Sequence, residues 1–202
     1  MKPASCIECK EFLCSDINKS GYLVPALDLD LKTVKVIMIS EAPPENPKDY
    51  FYAPGEPFYL KTTTQSFRDA GMSVNSIQEI LALGFYLTTA IKCPKTQRGV
   101  SAATIKNCSS ILEKELILFS NIEVYMLMGG VAIKAFNYIS KRQTGKNTIL
   151  AGSTYKIRKN KFYYQDRRVF PSYVQTGQNY LIEKSKREMI AEDLAEAIRI
   201  IR

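Results

Sequence analysis

The chain has 202 residues, of which 46% are hydrophobic, and its formal net charge is +8. This length favours one compact domain over two, and the apolar fraction is enough to fill a core. Histidine is absent, which excludes an imidazole base, a serine or cysteine nucleophile paired with histidine, and any histidine-ligated zinc site. We therefore expect one domain over residues 1–202.

The basic charge favours a polyanionic partner, and nucleic acid is the common one. The first residues lack the apolar stretch of a signal peptide, and no apolar run is long enough to cross a membrane. We therefore expect a monomeric, cytoplasmic protein that binds nucleic acid and has no membrane partner, with a solvated basic surface as the alternative interpretation of the charge. Thiols stay reduced in that compartment, so cysteines there serve metals or clusters more often than disulfides.

Short apolar segments that alternate with helical periodicity predict the fold. The predicted strands cover residues 34–39, 85–91, 124–128 and 169–173, and the predicted helices cover residues 63–70, 74–83, 102–119, 131–141 and 183–201. A basic, aromatic segment over residues 155–165 predicts a hairpin that turns at Lys159 and Asn160. Together these elements predict an α/β protein, a three-layer α/β/α sandwich with a central four-stranded, mainly parallel sheet.

Ligands of parallel sheets bind beyond the carboxyl ends of the strands. The first such loop carries Glu41 and Glu45, with Asp49 close behind. A carboxylate there could polarise a water molecule or stabilise a cationic transition state. Ordinary surface charge is the alternative interpretation.

Two further segments could contact phosphates. Gly129 and Gly130 lie between a predicted strand and a predicted helix, where a backbone turn could hold an anion or could simply be tight. The basic segment offers cations among aromatic rings, a combination that suits nucleic acid, although an exposed hairpin would look the same. Its candidate nucleic-acid-binding residues are Lys156, Arg158, Lys159 and Lys161.

The cysteines form two sets that are far apart in sequence. Cys6 and Cys9 make a C-x-x-C pair near the start, and Cys93 and Cys108 lie in the middle. Four thiolates can hold a [4Fe–4S] cluster, and zinc is the alternative metal. Buried free thiols are the remaining interpretation, and Cys14 could substitute for one ligand. Either metal group would staple residues 1–30 to the body of the protein.

These motifs, in this order, resemble the uracil-DNA glycosylase superfamily, in particular its iron–sulfur branch (family 4), over nearly the whole chain. The cysteine pair is similar to the family's amino-terminal cluster pair. The segment VIMISEAPPENP resembles the first active-site motif, and Pro57-Phe58 resembles the Pro-Phe that stacks on a base. YLTTAIKCP is similar to a strand ending in Asn-x-x-Lys-Cys, LMGGVAIKAF to the next strand and helix, and residues 172–179 to the last motif.

The resemblance implies base excision from DNA, in which a nucleotide is extruded into a pocket and its N-glycosidic bond is hydrolysed. Phe58 would stack on the base, and the acidic residues would assist the water or the cationic sugar. Other base-binding positions implied by the family pattern are Thr89, Val174, Gln175 and Thr176.

Three polar positions of the family pattern are changed. Val174 stands where the family has a histidine that hydrogen-bonds the base, Thr89 where it has an asparagine, and Pro47 where it has a second acidic residue. The cysteines, Glu41 and Phe58 thus match the family pattern, whereas the polar residues expected to contact the base do not. A non-catalytic nucleic-acid-binding member of the fold and an α/β enzyme acting on a free nucleotide stay open as alternatives.

Overall fold

The centre of the protein is a five-stranded sheet. The computed structural model describes residues 1–9 and 12–202, and its strands are β1 (Val36–Ser40), β2 (Phe85–Thr89), β3 (Val124–Met128), β4 (Phe162–Tyr164) and β5 (Arg167–Ser172). Their spatial order is β2-β1-β3-β5-β4, with β4 antiparallel to β5 and the other pairs parallel. Runs such as VIMIS are buried along their whole length, as is typical of parallel strands covered on both faces.

Helices cover both faces of the sheet. They are α1 (Phe58–Asp69), α2 (Ile77–Ala82), α3 (Ala102–Ile117), α4 (Gly130–Thr144), α5 (Thr154–Ile157), α6 (Gln178–Ile182) and α7 (Lys184–Ile201). One apolar core lies between the sheet and α3 and α4, and a second lies between the sheet and α1, α2, α6 and α7. The predicted three-layer sandwich is confirmed, with one strand more than expected. Within the described ranges, no helix is long and apolar enough to cross a bilayer.

Local signals explain where the helices begin and end. Ser101 caps α3 by accepting the Thr104 N–H, and Ser76 caps α2 by accepting the Glu79 N–H. Helix α4 ends at Gly145, whose φ of 77° lies in the left-handed region that glycine adopts readily.

The predicted hairpin over residues 155–165 is wrong. Its first residues form the short helix α5, and the hairpin is the pair β4 and β5. The turn lies at Gln165 and Asp166, whose φ values of 49° and 63° are both positive, as a type I′ hairpin turn requires. Alternating burial starts only at Phe162, so the residues before it carry no strand pattern.

The amino-terminal segment is held against the loop that follows β2. The backbone N–H groups of Leu23 and Asn18 donate to the carbonyls of Lys92 at 2.7 Å and Pro94 at 2.8 Å. The buried Asp16 carboxylate accepts the Ser101 N–H at 2.6 Å and the Thr104 hydroxyl. This segment therefore lies beside Cys93 and the start of α3.

Candidate functional site

The carboxyl ends of four strands meet at one edge of the sheet. β1 ends at Ser40, which is paired with Thr89 at the end of β2, and Met128 of β3 is paired with Ser172 of β5. Because these strands are parallel, the loops that follow them emerge together, as expected from the sequence.

Glu41 follows β1 directly and forms an ion pair with Lys95, at 2.8 Å between Oε1 and Nζ. The Glu41 side chain is 26% exposed and that of Lys95 is 30% exposed. The carboxylate is therefore held in place and still reachable from solvent. Lys95 was not singled out from the sequence, since nothing in its local pattern ties it to a residue more than fifty positions earlier.

Tyr59 lies at the meeting point of the candidate residues. Its hydroxyl donates to the Ala42 carbonyl at 3.4 Å. Burial, together with the charges of Glu41 and Asp49, raises the pKa of Tyr59 to about 12, although a hydrogen bond with Thr176 opposes the rise. Glu41, Asp49 and Thr176 therefore act electrostatically on one phenol, Tyr59, which the sequence analysis missed although it is adjacent to Phe58.

The loop that follows β1 carries Glu41, Glu45 and Asp49 and is called the acidic loop below. Its remaining acidic residues and Phe58 differ in their exposure. Phe58, the first residue of α1, has a partly buried ring at this end of the fold. Glu45 is exposed, whereas Asp49 is partly buried at the end of a short 3₁₀ helix (Pro47–Asp49).

Thr89 is completely buried, and its hydroxyl has no hydrogen-bond partner among the described residues. The Tyr50 hydroxyl, on the acidic loop, is buried without a partner as well. Buried polar groups are nearly always hydrogen-bonded, so this pair is unusual.

A buried ion pair lies directly behind Thr89. Lys92 and Glu115 are 1% and 0% exposed, and the Lys92 ammonium donates to Glu115, to the Thr88 hydroxyl at 2.9 Å and to the Thr89 carbonyl at 2.6 Å. The Tyr86 hydroxyl donates to Glu115 at 2.7 Å. The sequence offered no signal for this network, because its members are spread over β2, its loop and α3.

The glycine turn after β3 is tightly packed. Gly129 has a φ of 103°, and a Cβ there would lie 2.4 Å from Cγ2 of Val174. Its N–H donates to the Ser172 carbonyl at 3.0 Å, so this amide is already used inside the protein. Gly130 is exposed at the start of α4 and is the better placed of the two for an anion.

Gln175 is turned into the protein. Its side chain is fully buried, and its amide bonds the Ser40 hydroxyl at 2.9 Å and contacts Sδ of Met38 at 3.1 Å. This amide is therefore engaged with β1, whereas Val174 and Thr176 are partly exposed on the same loop.

The predicted basic surface divides into exposed and buried cations. Lys156, Lys159 and Lys161 are exposed. Arg158 is 4% exposed and binds Asp193 at 2.7 Å and the Met189 carbonyl at 2.6 Å. The guanidinium of Arg158 therefore fastens α7 and is not presented to DNA, which corrects the sequence-based expectation for this residue.

Four of the five cysteines line one cavity of about 160 Å³: Cys9, Cys14, Cys93 and Cys108. Burial, together with the charges of the other three thiols, raises the pKa of the Cys93 thiol to about 12. Cys6 is exposed and lies outside the lining. Across residues 1–9 and 12–202, no three cysteine or acidic side chains are close enough to hold a single metal ion. The thiols nevertheless converge on one space, and in that respect they fit a cluster with sulfur ligands.

Comparison with protein-family models identifies a family for most of the chain. The family model described as "Uracil DNA glycosylase superfamily" matches residues 28–197. The matched range contains all five strands, Cys93 and Cys108, and it begins after Cys6, Cys9 and Cys14. The comparison with curated proteins found no match.

Proposed function

The chain belongs to the uracil-DNA glycosylase superfamily, and from that premise we propose that it is a DNA glycosylase that hydrolyses the N-glycosidic bond of a deaminated or damaged base. One observation carries this proposal: at the carboxyl edge of the sheet, the partly exposed Glu41 carboxylate is held by Lys95 at 2.8 Å, and the Tyr59 hydroxyl donates to the carbonyl of Ala42, the next residue, at 3.4 Å. A cationic sugar and an anionic leaving base need opposite stabilising groups placed close together.

The carboxylates of the acidic loop would stabilise the cationic sugar and activate the attacking water molecule. Lys95 holds the Glu41 carboxylate while leaving it partly exposed, so Glu41 could polarise a water molecule or face the developing positive charge. Asp49 lies near enough to share this role, and the exposed Glu45 is the third candidate. Tyr59 remains protonated near neutral pH because its pKa is raised to about 12. Its O–H could leave the long bond to the Ala42 carbonyl, at 3.4 Å, and stabilise charge on the leaving base.

The base would lie between the acidic loop and the loop after β5. Phe58 would stack on it, and Thr89, Val174 and Thr176 would line its edge. Gln175 would act indirectly, because its amide ties the last loop to Ser40.

DNA flanking the extruded nucleotide would contact the exposed lysines Lys156, Lys159 and Lys161, and Gly130 would lie near a backbone phosphate. Lys159 is paired with Glu192 at 2.8 Å, a surface ion pair weak enough to yield to a phosphate.

A [4Fe–4S] cluster would be held by thiolates around the cavity, with zinc as the alternative. Cys9, Cys93 and Cys108 belong to both possible ligand sets. Cys14 is the fourth by position, and Cys6 is the fourth by its spacing from Cys9. Such a group would tie the amino-terminal segment to α3, and the reducing cytoplasm is the compartment that suits its thiols.

A gel assay with oligonucleotides that carry uracil, hypoxanthine, xanthine or a damaged pyrimidine tests the proposal. Alkali-labile abasic sites are expected from at least one of these substrates. If none of them yields an abasic site, the enzyme proposal is wrong.

A second candidate is a non-catalytic DNA-binding member of the family. It is favoured by the apolar Val174 and by the buried amide of Gln175, since neither offers a hydrogen-bond donor to a leaving base. This candidate predicts DNA binding that weakens steeply with salt while no abasic site forms.

A further inference from the structure

The direction of the Glu41 side chain depends on one other residue. The Glu41 backbone is fixed, because its carbonyl accepts the Ile91 N–H at 2.9 Å. Its carboxylate has one hydrogen-bond partner in the part of the chain that the structure describes, the Lys95 ammonium at 2.8 Å. Whatever places Lys95 therefore also places the carboxylate of the proposed site.

Lys95 lies in the loop between β2 and α3 (residues 90–101), and this loop is hydrogen-bonded to the amino-terminal segment on both sides of Lys95. The Asn18 N–H donates to the Pro94 carbonyl at 2.8 Å, and the Thr96 N–H donates to the Asp16 carbonyl at 3.1 Å. The backbone of Lys95 is thus held between two bonds to residues that come almost eighty positions earlier.

Ile17 faces Lys95 in the antiparallel bridge that these two bonds flank. The side chains of residues paired in this way leave the same face at close range. Ile17 is buried, at 8% exposure, whereas the Lys95 side chain is 30% exposed. The buried Ile17 therefore bounds the stem of Lys95 on one side, and the ammonium at the end of that stem reaches Glu41.

Gly21 shows how closely the amino-terminal segment approaches this loop. A Cβ at position 21 would lie 2.6 Å from Cδ and 2.7 Å from Cγ of Pro94, the residue before Lys95. A proline ring cannot swing away as a flexible side chain could. Any larger residue at position 21 must therefore push the segment and the loop apart.

We infer that Lys95 is a positioning residue and that residues 16–23 of the amino-terminal segment hold it against Glu41. An ion pair between partly exposed groups is weak, so the backbone bonds of the loop must supply the fixed geometry that a catalytic carboxylate needs. The inference rests on the proposed function and deepens it, because it makes the amino-terminal segment a control element of the same site. Displacement of the segment releases Glu41 although the segment does not contact the substrate.

Chemical labelling tests the positioning without any need for catalysis. Acetylation of Lys95 by a limiting amine-reactive reagent is followed by peptide mass spectrometry, with the exposed Lys32 as the internal reference. Glu41→Ala, which removes the partner, should raise Lys95 labelling about two- to fivefold. Gly21→Ala and Ile17→Ala, two independent changes in the segment, should each raise it by a similar factor.

Gly99→Ala is the matched control. Gly99 lies on the same loop, but a Cβ at that position has nothing within 4 Å, so Lys95 labelling and the reaction rate should stay at their wild-type values. All variants are compared below the melting temperature of the least stable one, so that differences in labelling do not come from unfolding.

Single-turnover rates on a DNA substrate that the wild type cleaves give the second measurement. Lys95→Met should lower the rate roughly ten- to a hundredfold with little loss of DNA affinity, because the carboxylate is misplaced. Lys95→Arg keeps the charge and should recover part of that loss. Gly21→Ala should lower the rate in the wild-type background and have little further effect in the Lys95→Met background, because it acts through Lys95.

The outcomes separate this inference from the proposal on which it rests. Unchanged Lys95 labelling in both segment variants, or rate effects of Gly21→Ala and Lys95→Met that simply multiply, would overturn the inference alone. A faster rate in Lys95→Met would also overturn it, since the ion pair would then restrain Glu41. Raised labelling in the segment variants of a protein that never makes abasic sites would support the positioning and overturn catalysis.

Discussion

Gly129 is a residue whose identity is fixed by geometry. Its φ of 103° is strained for any other residue, and a Cβ would lie 2.4 Å from Val174. Gly130, next in the chain, has nothing within 4 Å of the corresponding position. The two adjacent glycines therefore differ in the side chain that the fold allows: position 129 requires glycine, whereas position 130 has room for a larger residue.

We predict that Gly129→Ala lowers the free energy of unfolding by about 2–4 kcal/mol, from backbone strain and overpacking. Gly130→Ala should be neutral or slightly stabilising, because alanine favours the helix that begins there. Urea denaturation of both variants measures this difference. Equal stabilities would contradict the account of this turn.

The predictability of the site also differs from residue to residue. The positions of Glu41 and Phe58 follow from motifs that lie at strand and helix ends, so they could be predicted. Tyr59 and Lys95 could not, because their roles depend on which way side chains point and on how two loops meet. Arg158 was misassigned since a basic residue in a basic segment gives no sign that Asp193 will bury it.

At the scale of elements, the amino-terminal segment depends on Asp16. Burial raises the pKa of this carboxylate, but hydrogen bonds from Ser101 and Thr104 outweigh burial and hold the pKa below the ordinary 3.8. Asp16 thus links the segment to the start of α3.

We predict that Asp16→Ala lowers the free energy of unfolding at neutral pH by about 2 kcal/mol, the value of a hydrogen-bonded charge. Because the folded-state pKa is depressed, the contribution of Asp16 is complete above 3.8 and is lost as pH falls through the lower folded value. The difference between variant and wild type should shrink in acid. Asp28→Ala, which changes an exposed carboxylate of the same segment, should leave the urea midpoint close to that of the wild type.

The thiol cavity gives the amino-terminal segment a second test. Its lining predicts that Cys14→Ser and Cys93→Ser abolish iron and sulfide binding in anaerobically purified protein, whereas Cys6→Ser retains both, with the broad visible absorption of a cluster. The opposite pattern for Cys6 and Cys14 would favour the ligand set read from the C-x-x-C spacing. A colourless protein with one bound zinc would refute the cluster, but a metal would still connect the amino-terminal segment to the rest of the protein.

At the scale of the whole molecule, the sandwich fold was predictable because β1, β2 and β3 are short, mainly apolar runs, and helical periodicity follows each of them. The fifth strand escaped prediction since β4 has three residues and its hairpin turn at Gln165 and Asp166 carries no glycine. Because helices cover both faces of the sheet, ligands can reach it only at its edges. The loops at the carboxyl ends of the parallel strands therefore form the candidate site.

The central claim is that this edge of the fold excises a base from DNA. Single-turnover formation of abasic sites in uracil- and hypoxanthine-containing duplexes tests it, with wild type, Glu41→Gln and the exposed control Glu56→Gln. We predict product with wild type and with Glu56→Gln, and a rate at least about a hundredfold lower with Glu41→Gln at similar DNA affinity. Absence of product from the wild type, or full activity in Glu41→Gln, would contradict the account.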